Sequence, residues 1–199
     1  MNMSRLFIIV TLLLFAWRLT ADERTSCAIL NYTGDMPENL RLSKSSNEDK
    51  CVMAVDKEQS CIRLEQCGGP SGGYWQIAVK KEINIKAYRF LKIEIKSNPK
   101  AEMCLDLITT TGKGIEVFNV SFDTTWEWNT YYIPLTQNDE GRGGFKFTGS
   151  FDGSDNNVLR AGKLVYVRLA PWKSTKQVFY VRSIFLTSGN SPDQLDKKI

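Results

Sequence analysis

The chain has 199 residues, 42% hydrophobic and 24% charged, which is enough for one domain with a real core and argues against long disorder. Its 26 basic and 22 acidic residues leave too weak a balance to point to nucleic acid. It contains no histidine, which excludes Ser-His and Cys-His nucleophilic machinery and the usual zinc sites.

In chain order, residues 1–21 read as a secretory signal peptide. Met1 to Arg5 ends in a positive charge, Leu6 to Trp17 is an almost unbroken apolar run, and Leu19-Thr20-Ala21 offers a small residue for cleavage. The run is shorter than the roughly 20 residues that cross a bilayer. The mature chain is therefore expected to start near Asp22, to be secreted, and to carry no membrane span. Removing Arg5 and Arg18 lowers the basic count from 26 to 24 against 22 acids.

Residues 22–73 read as a Cys-rich arm and hairpin. An extracellular setting favours oxidation, so Cys27, Cys51, Cys61 and Cys67 are expected to form two bridges of undetermined connectivity. The fifth cysteine, Cys104, falls in a strand pattern and is expected to be buried, with a disulfide to another chain as the alternative. Asn31-Tyr32-Thr33 is a glycosylation sequon, so Asn31 should be exposed. Cys51 to Glu58 and Ser60 to Gln66 alternate as two strands of a hairpin. The cluster Cys67-Gly68-Gly69-Pro70-Ser71-Gly72-Gly73 is a loop or a hinge.

Residues 74–187 are a procession of strands. In Phe90 to Lys96, Leu91, Ile93 and Ile95 should face inward and Lys92, Glu94 and Lys96 outward. Met103 to Thr109 and Ile115 to Phe122 follow, and the second sequon places Asn119 opposite Phe118, Val120 and Phe122. Trp126 to Leu135 is read as one strand with two unlike faces: Tyr131, Ile133 and Leu135 on the core side, and Trp126, Trp128, Thr130 and Tyr132 on the other. Lys163 to Leu169 and Gln177 to Thr187 complete the series, and residues 188–199 form a polar tail. About ten short strands with frequent turn signals and no long amphipathic helix mean an all-β sandwich or barrel.

The order of features resembles the jelly-roll β-sandwich of galactose-binding-like domains and carbohydrate-binding modules. It rests on Tyr74-Trp75 after Gly72-Gly73, on Tyr88 to Lys96, on Trp128 to Leu135 with its Ile-Pro-Leu step, and on Val181 to Leu186. The resemblance implies an antiparallel jelly-roll sandwich over residues 74–187. It also implies a structural calcium ion near the sandwich ends, for which Asp152, Asp155, Asn156 and Asn157 could supply oxygens; the same residues also fit plain turns.

The outward positions supply the chemistry. Glu94, Trp126, Trp128, Tyr132, Tyr166, Arg168, Tyr180 and Arg182 combine rings with charged hydrogen-bonding groups. Sugars call for this mixture, because their C–H faces lie on rings and their hydroxyls need donors and acceptors. The reading is a secreted, non-catalytic glycan-binding module with these eight residues as its ligand site. The same rings suit an extracellular protein partner. Carboxylates at Glu94, Asp106 and Glu127 leave a polysaccharide-degrading enzyme as a lesser alternative. The crowd of Lys80, Lys81, Lys86, Arg89, Lys92, Lys96 and Lys100 is either a solvated face or a polyanion-binding patch.

Overall fold

The computed structural model describes residues 26–43, 51–66, 74–153, 157–171 and 176–189. The signal segment, Cys67, Asp155, Asn156 and residues 190–199 of the tail lie outside these. Among the described residues twelve strands follow one another: β1 (Ser26–Asn31), β2 (Leu40–Ser43), β3 (Cys51–Asp56), β4 (Cys61–Gln66), β5 (Tyr74–Asn84), β6 (Phe90–Asn98), β7 (Glu102–Thr110), β8 (Ile115–Asp123), β9 (Asn129–Pro134), β10 (Lys146–Phe151), β11 (Lys163–Pro171) and β12 (Gln177–Thr187). Among the described residues no helix is long and apolar enough to cross a membrane.

The strands form two antiparallel sheets. The first has the order β3-β4-β12-β6-β9, with β1 also paired to β12. The second has the order β10-β8-β7-β11-β5-β2. The last two strands, β11 and β12, lie inside the two sheets rather than at their edges, so each receives strands made earlier in the chain. This is the jelly-roll arrangement.

The core lies between the sheets and follows the two-residue period of the strands. Leu91, Ile93 and Ile95 of β6 are fully buried, as are Met103, Leu105 and Leu107 of β7. On β12 the inward set changes phase, from Phe179 and Val181 to Ile184 and Leu186. A bulge between Val181 and Ser183 causes the change: one extra residue returns the apolar side chains to the core. A bulge between Leu164 and Tyr166 does the same on β11, ahead of Val167 and Leu169.

The expected Cys-rich arm joins the same sandwich. β1 and β4 share one edge of β12, with β4 along Gln177 to Val181 and β1 along Ser183 to Thr187, while β2 pairs with β5. Ile29, Leu30, Leu40, Ile62 and Leu64 belong to the common core. Register also corrects the expected bridging among Cys27, Cys51 and Cys61. Cys51 sits opposite Gln66 and Cys61 opposite Asp56, at the two ends of one hairpin. Five residues of strand separate them, about 17 Å at ~3.3 Å per residue. Cys27 pairs with Leu186, five positions along β12 from the Val181 that pairs with Ile62. A disulfide needs Cα atoms within about 7 Å, so no pair among these three closes. Cys27 and Cys61 are thiols, as is Cys104, which is buried as anticipated.

Candidate functional site

The two sheets present two outer faces, and the eight expected ligand residues divide between them. Glu94, Tyr132, Tyr180 and Arg182 stand on the outer face of the first sheet, with Trp126 and Trp128 on the turn that enters it. Tyr166 and Arg168 stand on the outer face of the second. One site holding all eight is therefore ruled out: β11 lies in the other layer, a fact that strand parity alone does not carry.

On the first sheet, register places Lys96 opposite Tyr180, Lys92 opposite Tyr132 and Glu94 opposite Thr130. Cations cover the rings. The Arg182 guanidinium lies 3.8 Å from the Trp128 ring centre, and the Lys96 ammonium lies 5.2 Å from Trp128 and 5.0 Å from Tyr180. Arg182 also donates to Glu94 Oε1 at 2.9 Å. Tyr132 meets the edge of Phe90 at 6.3 Å and the ammonium of Lys92 at 5.7 Å. Among the described residues no further layer covers these rings, and Trp126 is 66% exposed.

The expected strand over Trp126 to Leu135 begins only at Asn129. Thr125 and Asn129 organise a turn before it: Thr125 Oγ1 and Asn129 Nδ2 both donate to the Glu127 carbonyl. Glu127 is therefore exposed in the turn rather than inward as its parity implied. From Tyr131 on, the reading holds. Ile133 and Leu135 are buried, and Tyr131 packs on Phe122 with ring centres 5.0 Å apart.

The second sheet carries an arrangement that the sequence did not disclose. Arg41, Gln76, Arg168, Asp106, Asn119 and Lys146 are register partners in succession, so one polar row crosses all six strands. At about 4.8 Å per strand the row is roughly 24 Å long. Its members are tied together. Arg168 Nε donates to Gln76 Oε1 at 3.1 Å and Asn119 Nδ2 to Asp106 Oδ1 at 2.7 Å. The guanidinium of Arg168 also covers the Tyr74 ring at 4.4 Å. Tyr166, Ile108 and Val117 line one side of the row, and Cys104 lies on the other. Cys104, Ile108 and Val117 point away from the core yet are buried. The longer side chains around them cover them, and the strip of outer face along the polar row is termed the trough.

Burial pushes the Asp106 carboxyl above its ordinary range, although Asn119 donates to it and Arg168 stands beside it. Burial likewise raises the Cys104 thiol. Asn119 lies on the outward face as its parity indicated, and its amide nitrogen is engaged by Asp106 and Cys104. Asn31 is exposed at the end of β1.

The candidate carboxylates do not converge. Glu94 and Asp106 face solvent from opposite layers, sheets that pack about 10 Å apart, and Glu127 stands on an exposed turn. Of the calcium set, Asp155 and Asn156 lie outside the described residues. Asp152 and Asn157 occupy left-handed turn positions at φ 59° and 52°. The Asn157 N–H donates to Glu116 Oε1, and its carbonyl accepts from Gln137. No group of three or more acidic or sulfur ligands gathers among the described residues. The lysine crowd disperses: Lys92 and Lys96 share the first sheet's outer face, whereas Lys80 and Lys81 line a 930 Å³ furrow between β1 and β5.

No family model and no curated protein sequence matches the chain. Its fold matches solved structures. A family 11 carbohydrate-binding module from Clostridium thermocellum, in complex with a β-1,3-1,4-mixed-linked tetrasaccharide, has a TM-score of 0.57 at 16% identity, over 84% of this chain and 98% of the module. A family 29 carbohydrate-binding module has a TM-score of 0.54 at 12% identity, over 87% of this chain and 99% of the module. An agarase has a TM-score of 0.59 at 7% identity over 84% of this chain, which spans only 25% of the agarase. The jelly-roll sandwich of carbohydrate-binding modules is thus the fold of this chain.

Proposed function

We propose that this chain is a secreted, non-catalytic module that binds a glycan chain along the trough on the outer face of its second sheet. The observation that carries the reading is the unbroken row Arg41, Gln76, Arg168, Asp106, Asn119 and Lys146. A polysaccharide presents repeated hydroxyls, and the row offers alternating donors and acceptors along a line. Asp106 accepts, the guanidinium of Arg168 donates, and the amides of Gln76 and Asn119 do both. Tyr166 flanks the row and gives sugar C–H faces an apolar surface, while the Tyr74 ring is covered by Arg168. The polar groups already hydrogen-bond one another, so little side-chain entropy is lost when a ligand arrives. Carbohydrate-binding modules among the fold neighbours support the same reading. Separation of the candidate carboxylates onto different faces supports a binding rather than a cleaving role.

A glycan array followed by calorimetric titration of the full chain tests this. Arg168→Ala should weaken binding of the selected oligosaccharide about tenfold or more, since a charge-assisted hydrogen bond contributes about 1.5–3 kcal/mol. Silence across neutral and acidic glycans, or an Arg168→Ala variant that binds like the parent, overturns the assignment.

A further inference from the structure

The first sheet's outer face is left unused by that trough, and it contains a second constellation. At the start of the turn into β9, a hollow of about 140 Å³ is lined by Gln59, Lys96, Ser97, Asn98, Trp126 and Tyr180. The turn is firmly built. Ser97 N–H donates to the Thr125 carbonyl at 2.8 Å, and Thr124 N–H to the Ala101 carbonyl at 2.7 Å. The buried hydroxyl of Thr124 donates to the Ala101 carbonyl and meets Ser97 Oγ at 2.6 Å. An exposed indole on a pinned turn is a ready stacking surface, because its position is already fixed.

Charge decides what the hollow can take. Lys96 lies between the rings of Trp128 and Tyr180 and makes no ion pair among the described residues. Of the nearby acids, Glu94 is paired with Arg182, Asp56 accepts from the backbone and side-chain amides of Gln59, and Glu127 is exposed on the turn between Trp126 and Trp128. Lys92, four residues along the same strand and about 13 Å away, makes no ion pair among the described residues either. The face therefore presents two ammonium groups without an ion pair among the described residues, beside an open indole.

We propose that this hollow is a second carbohydrate site, selective for sugars that carry a negative charge. The sugar ring stacks on Trp126, and its carboxylate or sulfate ester meets Lys96. The neighbouring Lys92 accepts a second charge further along the chain. The site lies on the opposite side of the sandwich from the trough and does not depend on it.

Calorimetric titration of the full chain with an oligogalacturonate, and separately with a sulfated galactan oligosaccharide, distinguishes the two sources of charge. An uncharged oligosaccharide of equal length is the reference. Binding of at least one charged oligosaccharide is expected, with affinity that falls as salt is added. Lys96→Gln should weaken it about tenfold and Trp126→Ala at least as much. Both side chains are on the surface, so the variants should melt with the parent. Arg168→Ala, which disables the opposite trough, separates the two sites. Loss of neutral glycan binding in that variant, with Lys96→Gln indistinguishable from the parent on every charged oligosaccharide, supports the trough and overturns this site. Failure of both charged oligosaccharides to bind overturns it as well.

Discussion

Arg182 lies over the indole of Trp128, and this contact decides which tryptophan is available. A cation 3.8 Å from the ring centre occupies that ring face, so Trp128 holds Arg182 in place while Trp126 remains open to solvent. Neighbouring residues of the same type thus take different tasks, and composition cannot separate them. Asp106 allows a sharper test. Burial raises its carboxyl above the ordinary value of 3.8. A raised acid is penalised when it ionises: the penalty is absent below the unfolded value, grows as pH climbs past it, and is complete above the folded value. Asp106→Asn removes the ionisation and keeps an oxygen to accept from Asn119. Its melting temperature should therefore gain on the parent as pH rises from 3 to 7, as followed by thermal denaturation. A gap that stays constant or narrows across that range would show that Arg168 and Asn119 outweigh the burial. The outward parity of Arg168 and Tyr166 was legible in the alternation of β11. Their layer was not, because which sheet a strand joins depends on pairings distant in sequence.

β12 is the element on which the sandwich depends most. It pairs with β6 along one edge and with β4 and β1 along the other, and so it ties the beginning of the chain to its end. Phe179, near its start, is fully buried and meets Trp75 of the opposite sheet edge-to-face, with ring centres 6.5 Å apart. Phe179→Ala should lose about 3–5 kcal/mol, transfer and cavity costs together. Urea unfolding measures this as a lower midpoint with an unchanged slope. β6 was fully legible, since its inward and outward residues alternate without interruption. β12 was legible as a strand, but its bulge was not, because one extra residue looks like ordinary noise in a short pattern. The start of β9 was misjudged for a related reason. Trp126 and Trp128 have high strand propensity, yet Thr125 and Asn129 cap a turn there. Side-chain hydrogen bonds to the backbone outcompeted intrinsic preference.

At the scale of the whole molecule, the sandwich has two outer faces, each with a proposed binding site, and one shared seam. The trough crosses the strands of one layer, and the charged hollow lies on the other, with the core between them. Such a plan lets a small protein bridge two polymers, or two stretches of one, with avidity exceeding either contact alone. The seam is the pairing of Ser26 with Thr187, which brings the first and last described strands side by side. Thr187 is also opposite Phe90, at the end of β6 remote from Lys96 and the hollow. Joining Thr187 to Ser26 by a short glycine-serine linker, and opening the chain instead at the exposed Thr111-Gly112-Lys113 turn, should give a circular permutant with the parent's circular dichroism spectrum and cooperative melt. Anything tethered through that corner, a surface or another protein, would leave both outer faces unobstructed, so the sandwich could be displayed like a blade held by its hilt.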